Sequence, residues 1–168
     1  MGCKTDRQGH KLWWRGDKLH GDVIDGDIPV GAVLTSASVH DSQVAIPLSQ
    51  QTAQRVRSLY DLMDSAYDAG TLRDFSRGLG HVPIIEPRRR PGYEPLDPAP
   101  RRRFAERTAS ERVNRRLKQE FGGRTVRVRG AGKVMTHLMF GVLAITALEL
   151  IAVECPALEL SQHLQLIV

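Results

Sequence analysis

Between residues 58 and 85 the chain reads strand, helix, strand, and that order leaves few folds open. Residues 58–63 are strand-like and end at Asp64. S-A-Y-D-A-G comes next, with Asp68 placed to cap a helix over 69–77, and 81–85 contains the apolar run V-P-I-I, suited to a buried strand despite Pro83. Two strands joined through a helix make a right-handed crossover with the strands parallel. In an open sheet of that kind, groups at the carboxyl ends of the strands face the ligand crevice, and Asp64 stands at such an end. The expected class is α/β.

A second constraint comes from residues 104–118, F-A-E-R-T-A-S-E-R-V-N-R-R-L-K. On one helix, at ~100° per residue, Phe104, Arg107, Glu111 and Lys118 fall within an arc of roughly 60°. Ala105, Ala109, Val113, Leu117 and Phe121 step by fours along another side as an apolar stripe. Such a helix packs on one side and presents a lone carboxylate among cations on the other.

The remaining elements fall around these two. Residues 1–16 are polar, with Trp13 and Trp14 expected to pack on the succeeding segment and no strand expected around Asp6. Residues 18–24 and 28–36 read as a hairpin across Asp25-Gly26-Asp27. A helix opens near 41, with Asp41 or Ser42 as its N-cap. Adjacent His40 and Asp41 also raise a metal-dependent hydrolase as a remote reading. Residues 86–103 carry repeated prolines and two triple-arginine clusters, and read as an extended loop. From 134 to 153 the chain is an apolar helix, expected to lie buried on a sheet face with His137 as a satisfied core histidine. A membrane span, which needs ~20 predominantly apolar residues, is the less favoured reading of that helix.

Charge is distributed unevenly. Residues 88–133 hold 15 Lys/Arg against five Asp/Glu, a local +10, while the rest of the 168 residues sum to −5. A basic block of this kind suits a polyanion. Aromatic residues make up only 5%, too few for rows of stacking platforms, so duplex backbone is a better partner than single strands. Cys3 and Cys155 form neither a CxxC nor a metal pattern, which fits a reducing cytosol rather than a disulfide framework. The sequence contains no glycine-rich phosphate loop, G-x-S-x-G elbow or H-E-x-x-H helix. What remains is Asp64 after one strand and Glu111 on a later helix, in a basic surround. Carboxylates brought together from separate elements hold Mg²⁺, and paired ions ~3.5–4 Å apart serve phosphodiester cleavage.

These residues carry a resemblance. F-x2-R-x3-E-x6-K, with Arg107, Glu111 and Lys118, resembles the Y-R-E-K signature of bacterial insertion-sequence transposases with a DDE catalytic core. L-M-D-S-A-Y-D-A-G is similar to that family's second-aspartate segment, with Asp64 as the aspartate. G-D-K-L-H-G-D-V-I-D-G-D-I-P-V-G-A-V-L-T-S-A-S-V-H-D-S is similar to its hairpin and helix entry. The resemblance implies a ribonuclease-H-like mixed sheet flanked by helices over residues 17–153, between an entry segment (1–16) and a tail (154–168). It implies Asp64 and Glu111 as catalytic and metal-binding residues, two Mg²⁺ (or Mn²⁺) ions, and cleavage and strand transfer at insertion-sequence ends. Arg107, Arg112, Arg115, Lys118 and Arg88, Arg89 and Arg90 are the expected DNA contacts. The expected partners are double-stranded DNA and a second copy or full-length transposase, with no membrane, in a bacterial, nucleoid-associated cytoplasmic setting.

Two departures from the family pattern stand out. Phe104 replaces the usual tyrosine and lacks its hydroxyl. The family's first strand and first aspartate lie upstream of the hairpin, so this chain is expected to lack both and to be inactive alone. A non-catalytic DNA-binding remnant that modulates a full-length transposase is the alternative.

Overall fold

The computed structural model describes residues 2–5, 8–14, 16–87 and 94–155. They fall into two units, one of Met1–Asp22 with Val30–Thr108 and one of Val23–Pro29 with Ala109–Val168.

The first unit begins with a hairpin that sequence pattern did not suggest. β1 (Gly2–Thr5) pairs antiparallel with β2 (Lys11–Trp14), Gly2 opposite Trp14 and Thr5 opposite Lys11. Its ladder is made by backbone, which any side chain permits, so no apolar alternation announces it. Trp13 is 61% exposed rather than packed. The expectation about Asp6 falls on a residue outside the described residues.

β3 (Asp17–Ile24) and β4 (Ile28–Ser36) form the expected hairpin. At its turn Gly26 and Asp27 take φ of 80° and 58°, a left-handed pair that glycine and aspartate tolerate better than most residues. The hairpin tip, Val23–Pro29, belongs to the second unit.

Helix α1 (Asp41–Ala53) is capped by His40, not by Asp41 or Ser42. His40 Nδ1 accepts from the Ser42 amide, and the Gln43 side chain accepts from the His40 amide, a reciprocal cap. Asp41 is drawn elsewhere: Lys18 Nζ donates to its Oδ1 at 2.9 Å, and His20 Nδ1 lies 3.3 Å from the same oxygen. Burial lowers the His20 pKa against the opposing pull of Asp41. The other ring nitrogen, Nε2, lies 2.8 Å from the Thr35 hydroxyl, so both ring nitrogens of His20 have polar partners. His40 and Asp41 are thus committed to a cap and an ion pair, and the reading of them as a paired metal site finds no support.

The strand–helix–strand expectation holds with adjusted bounds. β5 (Tyr60–Met63) and β6 (Val82–Ile85) are parallel, with Tyr60 opposite Val82 and Met63 opposite Ile85. Between them lie a 3₁₀ turn, Ser65–Tyr67, and α2 (Gly70–Gly78). Ala69, without a side-chain bond, occupies the N-cap expected for Asp68. Leu72, Ser76, Ile84 and Ile85 are buried where α2 crosses the pair. In place of one mixed sheet, the described strands form three two-stranded sheets. The fold shown is mixed α/β.

Two expectations about the basic segment need correction. The loop assigned to 86–103 ends in α3 (Pro98–Phe104). Its prolines stand in the first turn, where amides have no helical acceptor and their absence costs nothing. The single helix assigned to 104–118 is interrupted: Ala105–Arg107 form a 3₁₀ turn before α4 (Thr108–Gln119). Both the amide and the hydroxyl of Thr108 bond the Ala105 carbonyl, the hydroxyl at 3.0 Å, which favours the tighter i−3 pattern. Ala105 is consequently exposed and leaves the apolar stripe, while Ala109, Val113 and Leu117 are buried as expected.

In the second unit α4 packs on α5 (Ala131–Glu154). A Cβ at Gly141 would stand 2.6 Å from Leu117 Cδ1 and 2.9 Å from Phe121 Cβ, so only glycine admits this approach. Leu138, Gly141 and Ile145 form the buried line of α5. Other apolar residues of α5 are exposed in the described structure, Phe140 at 69% and Leu143 at 62%. The expectation of a buried helix is corrected to this extent: α5 is only partly buried. By length and composition alone α5 is long and apolar enough to cross a membrane. His137, partly buried, bonds the Gly122 carbonyl at 3.2 Å.

Candidate functional site

Asp64 directly follows β5 at the carboxyl end of the parallel pair, as its position after an apolar strand predicted. It caps the 3₁₀ turn: Oδ1 accepts the Ala66 amide at 2.9 Å, and the Tyr67 amide returns to the Asp64 carbonyl at 3.0 Å. Its second carboxylate oxygen makes no hydrogen bond among the described residues. A partly buried carboxylate with one oxygen fixed by backbone and the other available is a suitable donor for a hard cation such as Mg²⁺.

Sequence reasoning missed the neighbourhood of Asp64. Burial raises the Tyr67 phenol pKa, and the charges of Asp41, Asp64 and Asp22 raise it further, so the phenol stays protonated among three carboxylates. Asp22 itself accepts the Thr52 hydroxyl at 2.6 Å from α1. These contacts join segments well separated in the chain, and no local spacing marks them. The one available hint was the short step from Asp64 to Tyr67.

Glu111 belongs to the second unit, in the first turn of α4, where its side chain is exposed. It shares a groove of about 460 Å³ with Asn114, Arg115, Lys118, Gln119 and Arg124. Three cations therefore frame one carboxylate. For DNA binding alone that carboxylate is unfavourable, because it repels the phosphates the cations attract. A divalent cation seated on it removes the conflict.

The other expected DNA contacts divide by how their charge is used. The Arg107 guanidinium lies 5.4 Å from the centroid of the Phe104 ring, so the aromatic packing survives without the tyrosine hydroxyl. Arg103, in the first unit, stacks similarly over Tyr60 at 4.8 Å. Arg112 grips Asp27 with two bonds, Nε at 2.6 Å and Nη2 at 2.5 Å. Arg116 pairs with Glu120 and Glu149; burial lowers its pKa, but the bonds to these carboxylates more than restore it. Arg88, Arg89 and Arg90 lie outside the described residues. Among the described residues, no group of three or more His, Cys, Asp or Glu side chains is placed to hold a metal ion.

The profile of the family described as Transposase DDE domain matches residues 2–147, which includes every element from β1 into α5. The chain belongs to the transposase DDE domain family. Neither a curated protein nor a solved structure matches it. Both Asp64 and Glu111 fall within the matched DDE domain, as does the whole cationic groove. Membership of this transposase family carries transposition as the general function and DNA as the substrate class.

Proposed function

We propose that this DDE domain acts in metal-dependent cleavage and strand transfer at insertion-sequence ends, with Asp64 and Glu111 as two of its acidic ligands on a ribonuclease-H-like core. The observation that carries the proposal is the Glu111 carboxylate set in a groove of cations. Asp64 supports it as an oxygen donor held by the Ala66 amide at the end of a strand. Both donors suit Mg²⁺ or Mn²⁺. When bound, paired ions supply a nucleophile activated at neutral pH and stabilise the leaving oxygen.

The protein's own side chains do the rest. Arg115, Lys118 and Arg124 place the phosphate backbone along the groove, and Arg107, steadied by Phe104, adds a further contact. Such charges orient the duplex without reading its sequence. Tyr67, kept protonated, places a neutral group rather than another anion beside Asp64. Partners in this reading are duplex DNA and a second copy or full-length transposase, in a bacterial cytoplasm at the nucleoid.

A second reading is a non-catalytic DNA-binding protein that occupies transposon ends. The lack of a three-group acidic cluster among the described residues favours it for the chain acting alone. Both readings meet in one assay, cleavage of an end-labelled insertion-end duplex with Mg²⁺. Because no third acidic group joins these carboxylates among the described residues, the 168-residue chain alone is expected to be at least ~100-fold slower than the same chain supplied with a further acidic strand, fused or in trans, a direct ligand counting for more than the 10–100-fold typical of outer-shell changes. Equal rates would show that a carboxylate of this chain, Asp6 first among them, completes the site. No cleavage in either form would leave the DNA-binding reading.

A further inference from the structure

Helix α2 is fastened to the β5–β6 pair at two levels. Deep in the pair, the Ser76 hydroxyl donates to Asp61 Oδ2 at 2.6 Å, and His81 Nδ1 stands 3.1 Å from both Asp61 oxygens. Ser76 is 1% exposed, with Asp61 and His81 partly buried around it. At the carboxyl end, Arg73 Nη2 donates to Asp68 Oδ1 at 2.9 Å and to the Ile85 carbonyl at 3.4 Å. Arg73 and Ser76 are three residues apart and share a helix face.

The upper pin closes the turn that carries Asp64. Residues 64–68 are already tied by Ala66 N–H to Asp64 Oδ1, Tyr67 N–H to the Asp64 carbonyl and Asp68 N–H to the Ser65 carbonyl. One end of this turn leaves β5. The other end, Asp68, is held by Arg73 to the last residue of β6, whose side chain is wholly buried. With both ends anchored to adjacent parallel strands, the turn cannot rotate without breaking an ion pair.

We propose that Arg73 is a positioning residue: by bridging Asp68 to the Ile85 carbonyl it holds the turn that aims the Asp64 carboxylate, and so sets the divalent-cation affinity at that end of the strands. The proposal rests on the reading of Asp64 as a metal ligand. It separates two functions within one helix. Ser76 secures the fold, whereas Arg73 secures the direction of a carboxylate.

The test measures Mn²⁺ binding to the full chain by loss of the free-ion electron paramagnetic resonance signal, together with amide exchange at Ala66 in the metal-free protein. Arg73→Met should weaken Mn²⁺ binding about tenfold, the low end for outer-shell groups, and speed Ala66 exchange by a similar factor. Arg73→Lys should restore part of both. Ser76→Ala should lower the melting temperature while leaving Mn²⁺ affinity and Ala66 exchange near wild type. If Arg73→Met only lowers the melting temperature, with both other readouts unchanged, Arg73 is a fold-stabilising residue and the proposal fails. Should Arg73→Met not fold, Asp68→Asn opens the same clamp from its other end and is judged by the same criteria. Asp64→Asn separates the two levels of the argument. If it leaves Mn²⁺ binding intact, the ligand reading falls, and Ala66 exchange in Arg73→Met still decides whether the clamp orders the turn.

Discussion

Asp64→Asn and Glu111→Gln should each reduce Mg²⁺-dependent strand cleavage at least ~100-fold in the chain supplied with a further acidic strand, because on the proposed function each removes a direct anionic donor rather than an outer-shell support. Both substitutions keep the shape of the side chain. In Asp64→Asn the amide side chain retains an oxygen to accept from Ala66 N–H, so the 3₁₀ turn should persist and only the charge on the outward side is lost. Glutamine and glutamate have similar helix propensities, and Glu111 is exposed, so the stability change should stay within about ±0.5 kcal/mol. Loss of cleavage without loss of stability or of DNA affinity identifies a group used in chemistry. In fact DNA affinity of Glu111→Gln measured without metal should rise slightly, since a repulsive charge leaves the groove of Arg115, Lys118 and Arg124. Wild-type cleavage rates in either variant would remove that carboxylate from the site.

The second large effect is on DNA affinity. Residues 88–133 carry 15 Lys/Arg, but not all of that charge is available. Arg112 is committed to Asp27, and Arg116 to Glu120 and Glu149. If about six to ten of the cations neutralise phosphates, non-specific duplex binding should weaken by about 10³ to 10⁵ between 50 and 200 mM salt, through counterion release. Fluorescence anisotropy across a salt series reads this slope directly. Lys118→Ala and Arg115→Ala should each flatten the slope by about one unit, whereas Arg112→Ala, whose charge Asp27 already meets, should change it little. A flat salt response would mean the basic block is solvated surface.

How much of this was legible in the sequence depended on the range of the physics involved. The run ending at Asp64 announced both a strand and its end, because a short strand-like stretch followed by a helix signal is a local pattern. The same holds for the Gly26 turn and for the buried stripe Ala109, Val113 and Leu117. The β1–β2 hairpin was invisible because its ladder needs only backbone and buries little. Prolines counted as loop residues, although Pro98 and Pro100 occupy a helical first turn where they are tolerated. The break at 105–107 turned on one hydroxyl, that of Thr108, which no helical-wheel argument weighs. Hydropathy correctly found α5, but it measures the helix and not its partner, so the exposure of Phe140 and Leu143 could not be read from it. Around Asp64, the placement of Tyr67 near Asp22 and Asp41 and the Arg73–Asp68 bond depend on how separated segments fold together, beyond any periodic signal.

The central proposal is that Asp64 and Glu111 serve the same metal-dependent chemistry. Fe²⁺ substituted for Mg²⁺ in the DNA-bound protein, with ascorbate and peroxide, cuts the polypeptide where hydroxyl radicals are released and so maps the metal directly. The account predicts backbone cuts near both Asp64 and Glu111, with Asp64→Asn and Glu111→Gln each suppressing both sets together. Cuts near only one of the two residues, or sets that vanish independently in the two variants, would contradict it.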